Sequence, residues 1–118
     1  MKGLPFHRRV VFALHGMKLA FKRERSFRAH VLAAAGVALV LALARPAAIW
    51  WAILALAAGL VLVAELLNSA LEALIDHLHP DEHPEVGAAK DIAAGAVLVA
   101  SAIALAVGVA FMLDWLGR

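Results

Sequence analysis

The segment Glu65-Leu66-Leu67-Asn68-Ser69-Ala70-Leu71-Glu72 sets two carboxylates and an amide at spacings i, i+3 and i+7. On a helix, Glu65, Asn68 and Glu72 stack on one face. A carboxylate partly stripped of water can accept a proton from a hydroxyl. One or two carboxylates with phosphate oxygens suit a magnesium ion. The set therefore fits chemistry between a hydroxyl and a phosphate, with Glu65 as the base and Glu72 at the metal. The plainer alternative is that the three residues tie helices together or pair with Lys and Arg. Glu24, in Lys22-Arg23-Glu24-Arg25-Ser26-Phe27-Arg28, reads by itself as an ordinary surface ion pair. Lys90-Asp91 follow Gly87-Ala88-Ala89 at the expected start of a helix, where a lysine and free backbone N–H groups can hold phosphate. The same lysine serves equally as a membrane anchor.

Between these motifs runs Asp76-His77-Leu78-His79-Pro80-Asp81-Glu82-His83-Pro84-Glu85. Its histidines and acids raise zinc or nickel binding, but nothing in the spacing fixes a coordination geometry. A stiff, solvated loop able to cover a nucleotide is the reading preferred. No Walker A sequence, protein-kinase signature, Gly-x-Ser-x-Gly elbow or His-Glu-x-x-His occurs. The chain has no cysteine, which excludes disulfides, thiolate zinc sites and thiol nucleophiles.

The elements that must position these groups are apolar. Of 118 residues, 64% are hydrophobic, and the mean hydropathy is +0.87. Soluble domains hold about 45–50% apolar residues, so a solvent other than water is implied. Ile92 to Leu113 is an uncharged run of 22 residues, Ala47 to Ala64 one of 18, and Val31 to Ala44 one of 14. A helix needs about 20 residues to cross ~30 Å of hydrocarbon. The third run is short, and extension back through Phe27 lets it span. Its Ala42-Leu43-Ala44 imitates a signal cleavage site, but a charged region of about 30 residues ahead of it is too long for a signal peptide. Transmembrane helices are expected over about 29–44, 47–75 and 91–113, with a cytoplasmic loop over 76–90.

Eight of the eleven Lys and Arg residues precede residue 30, against the single acid Glu24. The positive-inside rule then puts residues 1–28 in the cytoplasm with Lys90, leaving only Arg45 and Arg118 outside. Arg45-Pro46 is expected as the tight outer turn. Trp50, Trp51, Phe111 and Trp115 fall at the outer boundary, as an aromatic belt would. Within 1–28, Phe6, Val10, Leu14, Met17 and Phe21 share one helical face, and Arg8, His15, Lys18, Lys22 and Arg25 another. Such a basic amphipathic helix lies in the membrane interface. Nucleic-acid binding is disfavoured, because the cations adjoin a span and the aromatics face away from them. In this topology Glu65 sits at the inner edge of the oily layer and Glu72 about 10 Å further out. There a lipid alcohol and a water-borne nucleotide can meet.

Glu65 to Asp76, followed by Ala89-Lys90-Asp91-Ile92-Ala93-Ala94-Gly95-Ala96-Val97 and preceded by Glu24-Arg25-Ser26-Phe27-Arg28, closely resembles the signature of the small prokaryotic diacylglycerol kinase family. Its members are integral-membrane lipid kinases and include the undecaprenol kinases. The resemblance runs from about Val10 to Leu105. It implies an all-α homotrimer in the bacterial inner membrane, each subunit with a surface helix and three transmembrane helices, and active sites shared between neighbours. It also implies phosphoryl transfer from ATP, with magnesium, to the hydroxyl of undecaprenol or diacylglycerol. Carried over by position, Glu65 is the catalytic base and Asn68 an active-site amide. Glu24 and Glu72 bind magnesium and touch ATP, which Asp81, Glu82, His83, Lys90 and Asp91 also approach. Ser26, Phe27, Arg28, Ala29, His30, Glu65 and Ala94 fall where the family meets its lipid.

The sequence departs from the diacylglycerol-specific pattern at His30, usually glutamate, and at Ala93-Ala94, usually Gly-Ser. Both look more like the undecaprenol kinase branch. A family arginine near the N-terminus aligns with Pro5, and Arg8 or Arg9 could replace it. The competing expectation, from a different class, is a small non-enzymatic membrane protein that moves protons or metal ions through Glu65, Glu72 and the histidines.

Overall fold

A computed structural model describes residues 2–118, so that Met1 of the segment expected over 1–28 lies outside the described residues. The chain forms α1 (Phe6–Arg23), α2 (Arg25–Ala44), α3 (Ala48–Leu78) and α4 (Pro84–Leu116), with no strand among the described residues. Helices α2, α3 and α4 are each long and apolar enough to cross a membrane. At 1.5 Å per residue, α2 matches the hydrocarbon thickness, whereas α3 is about 46 Å long and must project well beyond it. Leu32, Leu43, Leu56, Leu98 and Leu105 all stand outward. Water would not tolerate so broad an apolar surface, and lipid would. This is a membrane protein.

The apolar core is small and lies away from the carboxylates. Leu41, Leu54 and Phe111 form its centre, flanked by Val37, Ala44, Trp50 and Val107. Trp50 meets Phe111 edge to face at 5.4 Å, and its indole N–H donates to Asp114 at 3.0 Å. Arg118 donates to the same Asp114 oxygen at 3.0 Å. Two of the four residues expected as a belt, Trp50 and Phe111, therefore pack helices together instead of only lining a boundary. Arg45 ends α2 in the left-handed conformation, φ 48°, and its N–H donates to Leu41 O at 2.9 Å. Pro46 then fixes the entry to α3, so the α2–α3 turn is as tight as the sequence requires.

Three boundaries differ from expectation. The helix over the first 28 residues breaks at Glu24, whose backbone is extended. The guanidinium of Arg28 reaches back across this break and donates to Phe21 O at 2.7 Å and Lys22 O at 2.9 Å. A cation on the last free carbonyls of a helix both satisfies them and complements the helix dipole. The connection expected over 76–90 is only residues 79–83, because α3 continues to Leu78 and α4 begins at Pro84. Pro84 starts the helix instead of stiffening a loop, since its missing N–H costs nothing at the first position. His83 caps it, its side chain accepting from Glu85 N. In consequence Lys90-Asp91 are not at a helix start: Lys90 is the seventh residue of α4. The free N–H groups invoked beside it belong to the first turn instead.

Candidate active site

Glu65 is the one buried charged side chain among the described residues, 3% exposed. Isolated, such a carboxylate would cost several kcal/mol, so its partners must offset that cost. Both come from the first turns of α2. The Ser26 hydroxyl donates to Oε1 of Glu65 at 2.6 Å, and His30 Nδ1 lies 2.9 Å from that same oxygen. His30 Nδ1 is also 3.0 Å from Ser26 O. Its two neighbours are both acceptors, so Nδ1 carries the hydrogen. Ser26 and His30 are four apart and share a helix face. The break at Glu24 starts α2 just ahead of them and so turns that face toward α3. Neither contact involves Oε2 of Glu65.

Asn68 lies one turn further along α3. Its Oδ1 is buried with no hydrogen-bond partner among the described residues, an expensive state for an acceptor. The amide borders an open apolar groove of about 570 Å³ between α3 and α4, with Leu67, Ile92, Ala93 and Ala96. A narrower groove of about 140 Å³ runs beneath His30, walled by Val37, Ala57, Ala58 and Gly108. Ala94 is exposed and lines neither. Phe27 is buried at 3% exposure and packs in the protein. Ala29 is exposed, and the Arg28 guanidinium is engaged at the α1–α2 break.

Past the C-terminal end of α3 the short connection borders an open groove of about 600 Å³, lined by His79, Asp81, Glu82, His83, Gly87 and Lys90. Four residues expected at a nucleotide are thus brought together. Lys90 Nζ donates to the Asp76 carboxylate, which holds the lysine at the groove. His83 Nδ1 accepts from Glu85 N at 3.1 Å, and the rings of His79 and His83 meet edge to face at 5.7 Å. Asp91 is exposed and outside this groove.

Glu24 borders a further groove between α1 and α3, with Gly16, Ala20, Leu66, Ser69 and Ala73. Leu66, Ser69 and Ala73 lie roughly 100° around α3 from Glu65, Asn68 and Glu72, taking 3.6 residues per turn. Within one chain Glu24 and Glu72 therefore open onto different faces. Among the described residues no three His, Asp or Glu side chains gather closely enough to hold a metal by themselves. This donor set fits magnesium arriving with nucleotide phosphates, which needs only one or two protein carboxylates, and does not fit a caged resident ion.

Sequence reasoning did not find the contacts of Ser26 and His30 with Glu65, the Arg28 clasp or the His83 cap. A signal existed for two of them. Ser26 and His30 carry i, i+4 spacing at a span's start, and His83 directly precedes a proline able to open a helix.

Residues 11–112 match the family described as prokaryotic diacylglycerol kinase. The chain is 41% identical over 98 residues to a diacylglycerol kinase of Synechocystis, covering 82% of this chain and 56% of that protein. It is 36% identical to the undecaprenol kinase of Bacillus subtilis, covering 92% and 88% of the two chains. With the diacylglycerol kinase of Escherichia coli K12 it shares 33% identity, over 80% of this chain and 77% of that one.

Proposed function

The chain belongs to the prokaryotic diacylglycerol kinase family, and from that membership and the site geometry we propose that it is an integral-membrane lipid kinase. It transfers the γ-phosphoryl group of ATP to the hydroxyl of a lipid alcohol at the cytoplasmic face of the bacterial inner membrane. The carrying observation is Glu65, a buried carboxylate clasped through one oxygen and one turn from the unpartnered amide of Asn68.

The lipid oxygen attacks the γ-phosphorus, and a new O–P bond forms as the bond to the β,γ-bridging oxygen breaks. ADP departs with that electron pair, and the hydroxyl proton passes to Glu65. Asn68, one turn further along α3 at the edge of the apolar groove, helps position the incoming lipid. Lys90, with Asp81, Glu82 and His83 around the same groove, binds the nucleotide. Asp91, one residue on, approaches it from outside that groove. Glu24 and Glu72 would hold magnesium, which supplies neutralisation of the phosphate charge when bound. Positioning and electrostatics carry most of the catalysis in such transfers.

A single chain spreads these groups over several open grooves, so a homotrimer with sites completed between neighbours is part of the proposal. The acceptor is undecaprenol, with diacylglycerol the competing lipid. The B. subtilis undecaprenol kinase, similar over nearly its whole length, supports that order.

The test is purified protein in detergent with labelled ATP, magnesium and lipid alcohols. Label appearing in lipid phosphate is expected. Ion flux in vesicles with no labelled lipid would overturn the reading in favour of a proton or metal-ion carrier.

A further inference from the structure

Ser26 and His30 fall where the family meets its lipid, yet their polar hydrogens are spent elsewhere. The Ser26 hydroxyl gives its hydrogen to Oε1 of Glu65 at 2.6 Å, within the range of charge-assisted O–H···O⁻ bonds. His30 Nδ1 lies 2.9 Å from that same oxygen, an ion-pair contact, while its hydrogen bond goes to Ser26 O at 3.0 Å. A hydroxyl donor and an imidazole nitrogen from one face of α2 therefore converge on one oxygen of α3. A carboxylate with no such clasp can rotate and exchange its two oxygens. One with Oε1 held twice keeps Oε2 in a fixed direction.

We propose that Ser26 and His30 are positioning residues for Glu65: by occupying Oε1 together they assign proton capture to Oε2 and fix where it points. The inference rests on the kinase reading above and refines it. It reassigns two residues from lipid contact to alignment of the base. The Ser26 bond and the His30 contact also offset the cost of holding a charge at 3% exposure, so the base is oriented before substrate arrives. A preorganised group needs no rearrangement at the moment of transfer. The reach of α2 to α3 depends on the break at Glu24, which links the clasp to the α1–α2 junction.

The separation from a lipid-binding role is kinetic. Alignment acts on kcat, whereas contact with the lipid acts on KM for the lipid. In the assay with labelled ATP and undecaprenol, full-length His30→Leu keeps bulk but no donor. His30→Asn places an amide N–H where Nδ1–H stood. His30→Leu is expected to lose about 10- to 100-fold in kcat with KM for lipid and for ATP unchanged. His30→Asn is expected to recover most of that loss, and Ser26→Ala to show a smaller loss of kcat at the same KM values. Thermal unfolding in micelles accompanies each variant. Should His30→Leu fail to fold, the kcat-against-KM split in Ser26→Ala decides. The inference is overturned if His30→Leu raises KM for lipid and spares kcat, or if folded His30→Asn is no better than His30→Leu. An active wild type whose Glu65→Gln variant is dead, while Ser26→Ala and His30→Leu are fully active, overturns this inference alone. A wild type that labels no lipid overturns the kinase reading and this refinement with it.

Discussion

Replacing Glu65 by glutamine and by leucine separates the two roles this residue combines. Glutamine has nearly the same shape, and its carbonyl oxygen can still accept from Ser26 and lie against His30, which now sit 2.6 Å and 2.9 Å from Oε1. The Ser26 bond and the His30 contact weaken, because interactions with a charged acceptor are about twice as strong as neutral ones. The loss is offset by relief of burying a charge at 3% exposure. Net stability should therefore move by no more than about 1–2 kcal/mol. Leucine instead strips the clasp of its acceptor. His30 keeps Ser26 O as a partner, so the cost falls mainly on one orphaned donor, about 1–3 kcal/mol. Activity divides differently. An amide cannot take up the lipid proton, so both variants forfeit the general-base contribution of about 10²- to 10⁴-fold in rate. That corresponds to roughly 3–5 kcal/mol of barrier. Label transfer from ATP to undecaprenol measures the first quantity and thermal unfolding in the same detergent the second. Glutamine should be nearly as stable as wild type and nearly inactive, and leucine inactive and less stable. More than a tenth of wild-type transfer in Glu65→Gln would refute the assignment of the base. Equal melting of the two variants would refute the reasoning about the clasp.

Removing the clasp at the α1–α2 break by Arg28→Met should loosen α1 locally. Amides near Phe21 and Lys22, whose carbonyls Arg28 now engages, are expected to exchange with solvent about tenfold faster, while those of α3 stay protected. Unchanged exchange there would remove the capping role. Lys90→Met should raise KM for ATP more than tenfold, a loss of about 1.4 kcal/mol or more, and leave KM for lipid alone. An unaltered KM for ATP would show that Lys90 only pairs with Asp76. With undecaprenol and diacylglycerol supplied together, most label should enter undecaprenol. The opposite ratio would move this chain to the diacylglycerol branch.

Much of the architecture was legible in one dimension because a bilayer simplifies the problem. A segment must be apolar for about 20 residues and satisfy its own backbone, and the three uncharged runs announce three crossing helices directly. The stack of Glu65, Asn68 and Glu72 was equally readable, since helical geometry alone puts i, i+3 and i+7 on one face. Helix ends were less so. At Pro84 a residue that can stiffen a loop or open a helix did the second, a choice made by the capping bond from Glu85 N to His83. That choice carried Lys90 from a helix start into its second turn.

What spacing along the chain determined is which side chains share a helix and which of its faces each one takes, both local properties of 3.6 residues per turn. What only the tertiary structure decided is which oxygen of Glu65 is taken. Ser26 and Glu65 are 39 residues apart, and their meeting depends on the break at Glu24, the length of α2, the Arg45-Pro46 turn and the packing of α2 on α3 together. No local rule adds those four rotations, because each is set by contacts between segments rather than within one.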